Sequence, residues 1–261
     1  SKSATASSVF VAGSNVYTVG HDGNIAKVWK NDKELYELTN GSNYAYAGSI
    51  FVADDKVYTA GYDGKVAKLW KNKSATDLTD GSKSATASSV FVAGSNVYTA
   101  GYDGKVAKVW KKGSELFALT DGSKYAYVSS VFVVGDDVYT AGCESNGTKD
   151  VAKVWKNKSA TDLTDGSKSA IARSVYVVGD DVYVAGKEGK VAKVWKNKEE
   201  LYDLADNGEA YSIVVHNGDV YVVGSETEGS NDVAKVWKNG KELYSLANKG
   251  IARSIFIVER K

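Results

Sequence analysis

Short apolar segments, separated by turns rich in Gly, Asn and Asp, recur along the whole chain. In the clearest copy, Ser130–Val134 is followed by Asp137–Ala141, Val151–Lys156 and Ala160–Thr164. Segments rich in Val, Tyr and Thr and bounded by such turns are typical of antiparallel β-strands. No stretch has the sustained 3.6-residue period of an amphipathic helix, so we predict an all-β chain without helices.

The third segment of each copy has the form Val-Ala-Lys-Val-Trp-Lys, and it contains every tryptophan of the chain. A repeat length of about 40 residues is typical of propellers and solenoids, whose units bury their apolar faces against one another. Six copies of four strands predict a six-bladed β-propeller with four-stranded antiparallel blades. The tryptophans are Trp29, Trp70, Trp110, Trp155, Trp195 and Trp237.

We assign the whole chain to one propeller domain, with the first strand of each blade innermost. The connection from a fourth strand to the next first strand is predicted to be the only consistently long one. The predicted blades are approximately 1–41, 42–81, 82–122, 123–166, 167–208 and 209–249, with an extra closing strand at 250–261.

A second periodicity spans two blades. Ser1–Lys30 and Ser82–Lys111 differ at four positions, and Lys71–Gly81 is identical to Lys156–Gly166. This pattern predicts a quasi-threefold repeat of a two-blade unit, in which the C-terminal third has diversified most.

The first-strand motif occurs seven times, once more than six blades require. The two copies that compete for blade one begin near Val9 and Ile255. We predict that Ile255–Val258 fills this position, because a C-terminal strand there joins the two ends of the chain and removes an open sheet edge. The N-terminal dozen residues then lie outside the blade or exchange with another molecule. The alternative is a local hairpin that places Val9–Val11 beside Val16–Thr18 and closes a short loop at little entropic cost.

The net charge is +1, from 33 basic and 32 acidic residues, so the composition does not indicate a nucleic-acid or anionic-membrane partner. No apolar run approaches the roughly 20 residues that span a bilayer, and no signal peptide is recognised. The single cysteine, Cys143, excludes an internal disulfide and a cysteine-rich metal site. The chain has no proline and no methionine, which indicates recent amplification of the repeat or deliberate editing. The localisation stays open between a recombinant product and a bacterial secreted or cell-surface protein.

The sixth copy contains Asp-Val-Tyr-Val-Val-Gly at Asp219–Gly224 and Val-Ala-Lys-Val-Trp-Lys-Asn-Gly at Val233–Gly240. Together with the Ser-Val-Phe-Val motif of earlier copies, these segments resemble bacterial propellers whose repeats carry a "VYVAG…WKNG" signature. They are similar, more distantly, to NHL and YVTN propellers. The resemblance covers the whole chain and implies the fold, but those families are mostly binding or scaffold modules, so it implies little about chemistry. The near-identity of the blades also resembles engineered or repeat-amplified propellers.

Three groups of polar residues are interpreted as structural. His21 and His216 are expected in surface turns on opposite faces, where they cannot form one site. The acidic loops 144–150 and 226–232 lack the ligand spacing of a preorganised calcium loop. The lysine inside the tryptophan segment is expected to cover apolar surface while its ammonium reaches water. Its copies are Lys27, Lys68, Lys108, Lys153, Lys193 and Lys235.

The most suggestive residues lie at the connections that lead into first strands. These connections are expected to share a face with the turns between second and third strands and to surround the mouth of the channel. Aromatic faces beside polar groups suit a glycan or a peptide, although the tyrosines could instead only pack between blades. The candidate ligand-binding residues are Tyr44, Tyr46, Tyr125, Tyr127, Tyr211, Arg173 and Arg253.

No phosphate-binding glycine loop, nucleophile elbow or paired catalytic carboxylate is found in the sequence. We therefore predict no catalytic residues, no metal and no cofactor. The first hypothesis is a non-enzymatic scaffold, designed or repeat-amplified. The alternative is a bacterial binding module that recognises a glycan or peptide at the tyrosine-lined face. A monomer is favoured, with exchange of a terminal strand as the alternative.

Overall fold

The computed structural model of the protein describes residues 4–259, whose regular structure is entirely β. The chain divides into two compact units, Ser1–Gly135 and Asp136–Lys261. The strands of the first unit are β1 Ala4–Ala12, β2 Asn15–Asp22, β3 Ile25–Lys30, β4 Lys33–Glu37, β5 Ala45–Ala53, β6 Lys56–Asp63, β7 Val66–Lys71, β8 Ser74–Asp77, β9 Ala85–Ala93, β10 Asn96–Asp103, β11 Val106–Lys111, β12 Ser114–Ala118 and β13 Ala126–Val134.

The second unit contains the remaining eleven strands. They are β14 Asp137–Ser145, β15 Asp150–Lys156, β16 Ser159–Asp162, β17 Ala170–Val178, β18 Asp181–Glu188, β19 Val191–Lys196, β20 Glu199–Ala205, β21 Gly208–His216, β22 Asp219–Glu228, β23 Asn231–Lys238 and β24 Lys241–Ala247.

Each set of four consecutive strands forms one antiparallel sheet, in chain order, which gives six blades. The predicted fold class, an all-β six-bladed β-propeller with four-stranded blades, is confirmed. The quasi-threefold two-blade repeat stays a prediction.

Tryptophan burial and face-to-face packing of neighbouring blades form the core. Five of the six tryptophans are at most 2% exposed, whereas Trp29 is only partly buried. In the second unit, Val194 of blade five packs with Ile213 and Trp237 of blade six. Such burial contributes about 25 cal/mol for each Å² of apolar surface removed from water, so the repeated apolar positions hold neighbouring blades together.

The first strand of a blade contains a β-bulge, and the second strand has a glycine beside it. In blade one the pairing skips Ser7, since Ala6 lies opposite Gly20 and Ser8 lies opposite Val19. A Cβ on Gly20 would lie 1.9 Å from the carbonyl oxygen of Thr5, so only glycine fits. The bulge residues of blades one, two, three, five and six are Ser7, Gly48, Ser88, Arg173 and Tyr211.

An asparagine after the third strand holds the tight turn to the fourth strand. Asn72 has a left-handed φ of 53°, and its Oδ1 accepts a hydrogen bond of 3.0 Å from the amide of Val57. Asn and Asp tolerate this backbone conformation better than most residues. Blade three has Lys112 at this position with φ 52°, and a lysine side chain cannot accept the bond.

The prediction that Ile255–Val258 fills the first position of blade one is wrong. Strand β1 occupies it, with Val9 opposite Thr18 and Val11 opposite Val16. The short turn between β1 and β2 closes this hairpin at a small entropic cost, which favours the local partner. Residues 4–12, which were expected outside the blade, therefore form its first strand, and residues 1–3 lie outside the described residues.

The C-terminal segment 251–259 forms no strand but lies beside β21. The amide of Ile255 donates to the hydroxyl oxygen of Ser212 at 3.4 Å. The amide of Ile213 makes the equivalent bond to Ser174 at 3.3 Å. The seventh copy of the first-strand motif therefore contacts β21 through the same kind of hydrogen bond that β21 makes to β17.

The connections into first strands are not all long. Residues 38–44 separate β4 from β5, but only residues 206–207 separate β20 from β21. The prediction of consistently long connections is wrong for this blade, because β20 continues its ladder until Ala205 pairs with Ala192.

Replacing Lys112 with asparagine should stabilise the protein. The new Oδ1 can accept a hydrogen bond from the amide of Val97, and Asn suits the left-handed φ, so we expect a gain of about 1 kcal/mol in unfolding free energy. Urea denaturation measures this gain. The reciprocal variant Asn197→Lys, which removes the bond to Val182, should lose a similar amount. If neither variant changes stability, the turn does not depend on this side chain.

Candidate functional site

The connections into first strands and the turns between second and third strands lie on the same face, as predicted. The amide of Gly64 donates to the carbonyl of Tyr44 at 3.1 Å, and the amide of Gly104 donates to that of Ser84 at 3.0 Å. In the second unit, the amide of Gly189 donates to the carbonyl of Ser169 at 2.8 Å. The arrangement of this face around a channel stays a prediction.

Tyr44 and Tyr46 belong to an aromatic cluster at the junction of blades one and two. The ring of His21 lies 5.8 Å from that of Tyr44 and 5.7 Å from that of Tyr46, and Tyr62 lies 5.8 Å from Tyr46. Burial, together with the neighbouring tyrosines, raises the pKa of Tyr62. A Cβ at Gly48 would lie 2.8 Å from the Tyr46 ring. The absence of a side chain at this bulge residue therefore leaves space for the ring. The Tyr46 and Tyr62 rings are therefore partly buried by this packing, whereas Tyr44 stays 49% exposed.

His21 lies in β2 and not in a turn, which corrects the prediction from the sequence. His216 is the last residue of β21 and lies opposite Asp219. Its Nε2 lies 3.3 Å from a carboxylate oxygen of Glu259, so this histidine contacts the C-terminal segment.

Tyr125 and Tyr127 line a cavity of about 600 Å³ at the junction of blades three and four. The Tyr125 side chain is 66% exposed, and the Nζ of Lys105 lies 4.9 Å from its ring centroid. The hydroxyls of Thr86 and Tyr102 lie 3.2 Å apart, within hydrogen-bond distance. We call this site the tyrosine cavity; its lining is Ser84, Tyr102, Gly104, Lys105, Tyr125, Ala126 and Tyr127.

Tyr102, Lys105 and Ser84 were not among the binding residues predicted from the sequence. Tyr102 lies near the end of β10, and Lys105 lies in the turn between β10 and β11. Ser84 is the last residue of the connection from β8 to β9. They could have been predicted, because the turns between second and third strands and the connections into first strands were already expected to share a face.

Arg173, Tyr211 and Arg253 lie together in the second unit. The guanidinium carbons of Arg173 and Arg253 are 5.9 Å and 5.6 Å from the Tyr211 ring centroid. Both distances are within the range of cation–π attraction. These three candidate residues are therefore brought together. Of the other candidates, Tyr44 and Tyr46 lie with His21 and Tyr62, and Tyr125 and Tyr127 line the tyrosine cavity.

Glu209 anchors this second cluster. Its side chain is almost fully buried; Oε1 accepts from the Nε of Arg173, and Oε2 accepts from the Nζ of Lys187 at 2.7 Å. Burial alone would raise the pKa of Glu209, but the positive charge of Arg173 and the hydrogen bonds from both cations outweigh it and lower the pKa. Burial, followed by the nearby Glu209 carboxylate, raises the pKa of Tyr211.

The repeated lysines form ion pairs with carboxylates of their own blades. Lys235 is the fullest case, because Glu226, Glu228 and Glu242 lie 2.7–3.0 Å from its Nζ. Hydrogen bonds from Lys235 to Glu228 and Glu242 raise its pKa. Two of these carboxylates, Glu226 and Glu228, lie at the end of β22 and face β23. The prediction of an acidic loop at 226–232 is therefore wrong, because the two strands stay paired up to the turn at Gly229 and Ser230.

Hydrogen bonds organise the other acidic segment, residues 144–150. The side-chain oxygen of Asn146 accepts from the amides of Thr148 and Lys149 at 3.0 Å and 2.9 Å. Glu144 lies 3.4 Å from the Nζ of Lys153. Within residues 4–259, no group of three or more His, Cys, Asp or Glu side chains is arranged to hold a metal ion.

No protein-family model matches this chain, and no curated protein matches it significantly. The resemblance to bacterial repeat propellers therefore rests on the sequence motifs alone. In the part of the chain that the structure describes, no helix is long and apolar enough to cross a membrane.

Replacing Glu209 with glutamine should destabilise the protein by about 2 kcal/mol at neutral pH, because Arg173 and Lys187 lose a buried charged partner. A lowered folded-state pKa stabilises the protein above the unfolded-state pKa of about 4.3. That contribution disappears as the pH falls through the folded-state pKa. The difference in unfolding free energy between wild type and Glu209→Gln should therefore shrink from pH 6 to pH 3, as measured by urea denaturation at each pH.

Glu199→Gln is the matched control, since its carboxylate is exposed and lies 4.0 Å from Lys198. It should change stability by less than about 0.5 kcal/mol. A Glu209→Gln effect that does not vary with pH would show that the charge of this carboxylate is not what stabilises the cluster.

Proposed function

We propose that this chain is a non-enzymatic binding module that holds a neutral glycan in the tyrosine cavity. The observation that carries this proposal is a concave site of about 600 Å³ with three tyrosines in its lining. Sites for small ligands are typically concave and mostly apolar, with a few polar groups that orient the ligand.

The chemistry of the lining supports a sugar. The C–H face of a sugar ring can pack on the exposed face of Tyr125, while Ser84 and the tyrosine hydroxyls offer hydrogen bonds to its hydroxyl groups. Lys105 lies against the Tyr125 ring and adds a donor at the rim. Stacking and hydrogen bonding bind a ligand without transforming it, which supports a binding role. A peptide with an aromatic or proline side chain is the second ligand class that such a surface suits.

The repeated supports of each blade favour a second candidate function, a stable scaffold without a dedicated ligand. Each copy of the repeat has a tryptophan and a lysine that pairs with carboxylates of its own blade, and the turn asparagine occurs in all copies except the third. We infer that the blades arose by repeat amplification or design from a bacterial propeller, and that the protein acts as a monomer without nucleic-acid or membrane partners. The near-identical segments and the net charge of +1 support this inference.

Tyr125→Ala should weaken glycan binding without unfolding the protein. The ring is 66% exposed, so its removal takes away a stacking surface and little core packing. We expect binding to weaken about ten-fold or more, since an aromatic contact contributes roughly 1 kcal/mol beyond its buried area. A screen of neutral oligosaccharides identifies the ligand, and calorimetry then compares the wild type with the variant.

Tyr244→Ala is the control, because Tyr244 is 60% exposed and does not line the tyrosine cavity. It should leave the affinity unchanged. If no neutral glycan binds the wild type, the glycan proposal fails; binding of a peptide that depends on Tyr125 supports the second ligand class. If neither class binds, the scaffold function is favoured.

A further inference from the structure

The bulge residues differ between the two units. In blades one to three they are Ser7, Gly48 and Ser88, whereas in blades five and six they are Arg173 and Tyr211. Arg253 has the equivalent place in the seventh copy of the first-strand motif, where Ala252-Arg253-Ser254 matches Ala172-Arg173-Ser174. A bulge redirects one side chain out of the regular alternation of its strand. The diversified part of the chain therefore uses this position for two cations and an aromatic ring.

The three side chains do not have equivalent partners. Arg173 is paired with buried Glu209, which also holds Lys187. Arg253 is exposed and contacts the Tyr211 ring, and no carboxylate in residues 4–259 pairs with it. Its guanidinium is thus held in place by the ring while its five hydrogen-bond donors stay available to a ligand.

A cavity of about 240 Å³ adjoins this cluster between blades five and six. Tyr211, Glu209 and Lys187 line it, together with Asn207, Ser225 and Lys190. Lys190 is exposed, and no carboxylate in the described part of the chain pairs with it either. The cavity therefore combines hydroxyl and amide groups with a second available cation.

The charge of the cluster is positive. Arg173, Lys187, Lys190 and Arg253 contribute four positive charges, while Glu209 and Asp232, which also lines the cavity, contribute two negative ones. Arginine recognises carboxylates through paired parallel hydrogen bonds, and an excess of positive charge favours an anionic ligand.

We propose that Arg253, Tyr211 and the adjoining cavity form a second binding site, which takes the carboxylate of an acidic sugar such as a hexuronate. Arg253 and Lys190 bind the carboxylate, and Asn207 and Ser225 bind ring hydroxyls. Glu209 holds Arg173 and Lys187 in position and keeps the site from carrying a larger positive charge. This site uses none of the residues of the tyrosine cavity, so it does not rest on the function proposed above.

Glucuronate and glucose are the probes, since they share a pyranose ring and differ by the carboxylate. Calorimetry or NMR titration of the whole protein should show glucuronate binding that weakens as salt is added, with glucose about ten-fold weaker or undetectable. Arg253→Leu should weaken glucuronate binding about ten-fold or more, and Arg253→Lys should retain part of the affinity because it keeps the charge without the fork.

Lys249→Leu removes another exposed cation of the same unit and should leave glucuronate binding unchanged. Tyr125→Ala should also leave it unchanged, which separates this site from the tyrosine cavity. Circular dichroism checks that each variant is folded. The proposal is overturned if wild-type protein does not bind glucuronate, if it binds glucose equally well, or if folded Arg253→Leu or Arg253→Lys binds glucuronate as tightly as wild type.

Discussion

The structure of each blade depends on how closely the first strand approaches the second. In blade three, a Cβ on Gly101 would lie 1.9 Å from the carbonyl oxygen of Thr86, well inside any allowed contact. The glycine lets the two backbones meet, and the residue that the pairing skips, Ser88, forms a bulge. Bulges bend a strand and increase its twist, so this contact shapes the strand against which the neighbouring blade packs.

The same contact connects stability with binding. Because the bulge residue lies outside the regular pairing of its strand, it can change from Ser or Gly to Arg or Tyr without disturbing the ladder. The tryptophan and the paired lysine occur in all six copies of the repeat, and the turn asparagine is replaced only in blade three, by Lys112. A fixed framework with one variable position per blade is therefore able to carry small side chains in the first unit and the Arg173–Tyr211–Arg253 cluster in the second.

The strands could be predicted from the sequence because their signals are local. The spacing of Trp70 and Trp110 and the Gly-rich turns between apolar segments define a blade without reference to distant residues. The partner of Arg173 could not be predicted, since Glu209 lies 36 residues away in the next blade. The position of Ile255 could not be predicted either, because its segment and β1 carry the same motif, and only the competition between a local hairpin and a distant partner decides between them.

The most direct test of this account is the unfolding free energy of Gly101→Ala compared with that of Gly94→Ala. Gly94 has a left-handed φ of 55° and nothing within 4 Å of an added Cβ, so its substitution should cost about 1 kcal/mol through backbone strain. Gly101→Ala forces two backbones apart and should cost about 3 kcal/mol or more. Equal losses for the two variants would contradict the claim that the close approach of the first two strands determines the stability of the blade.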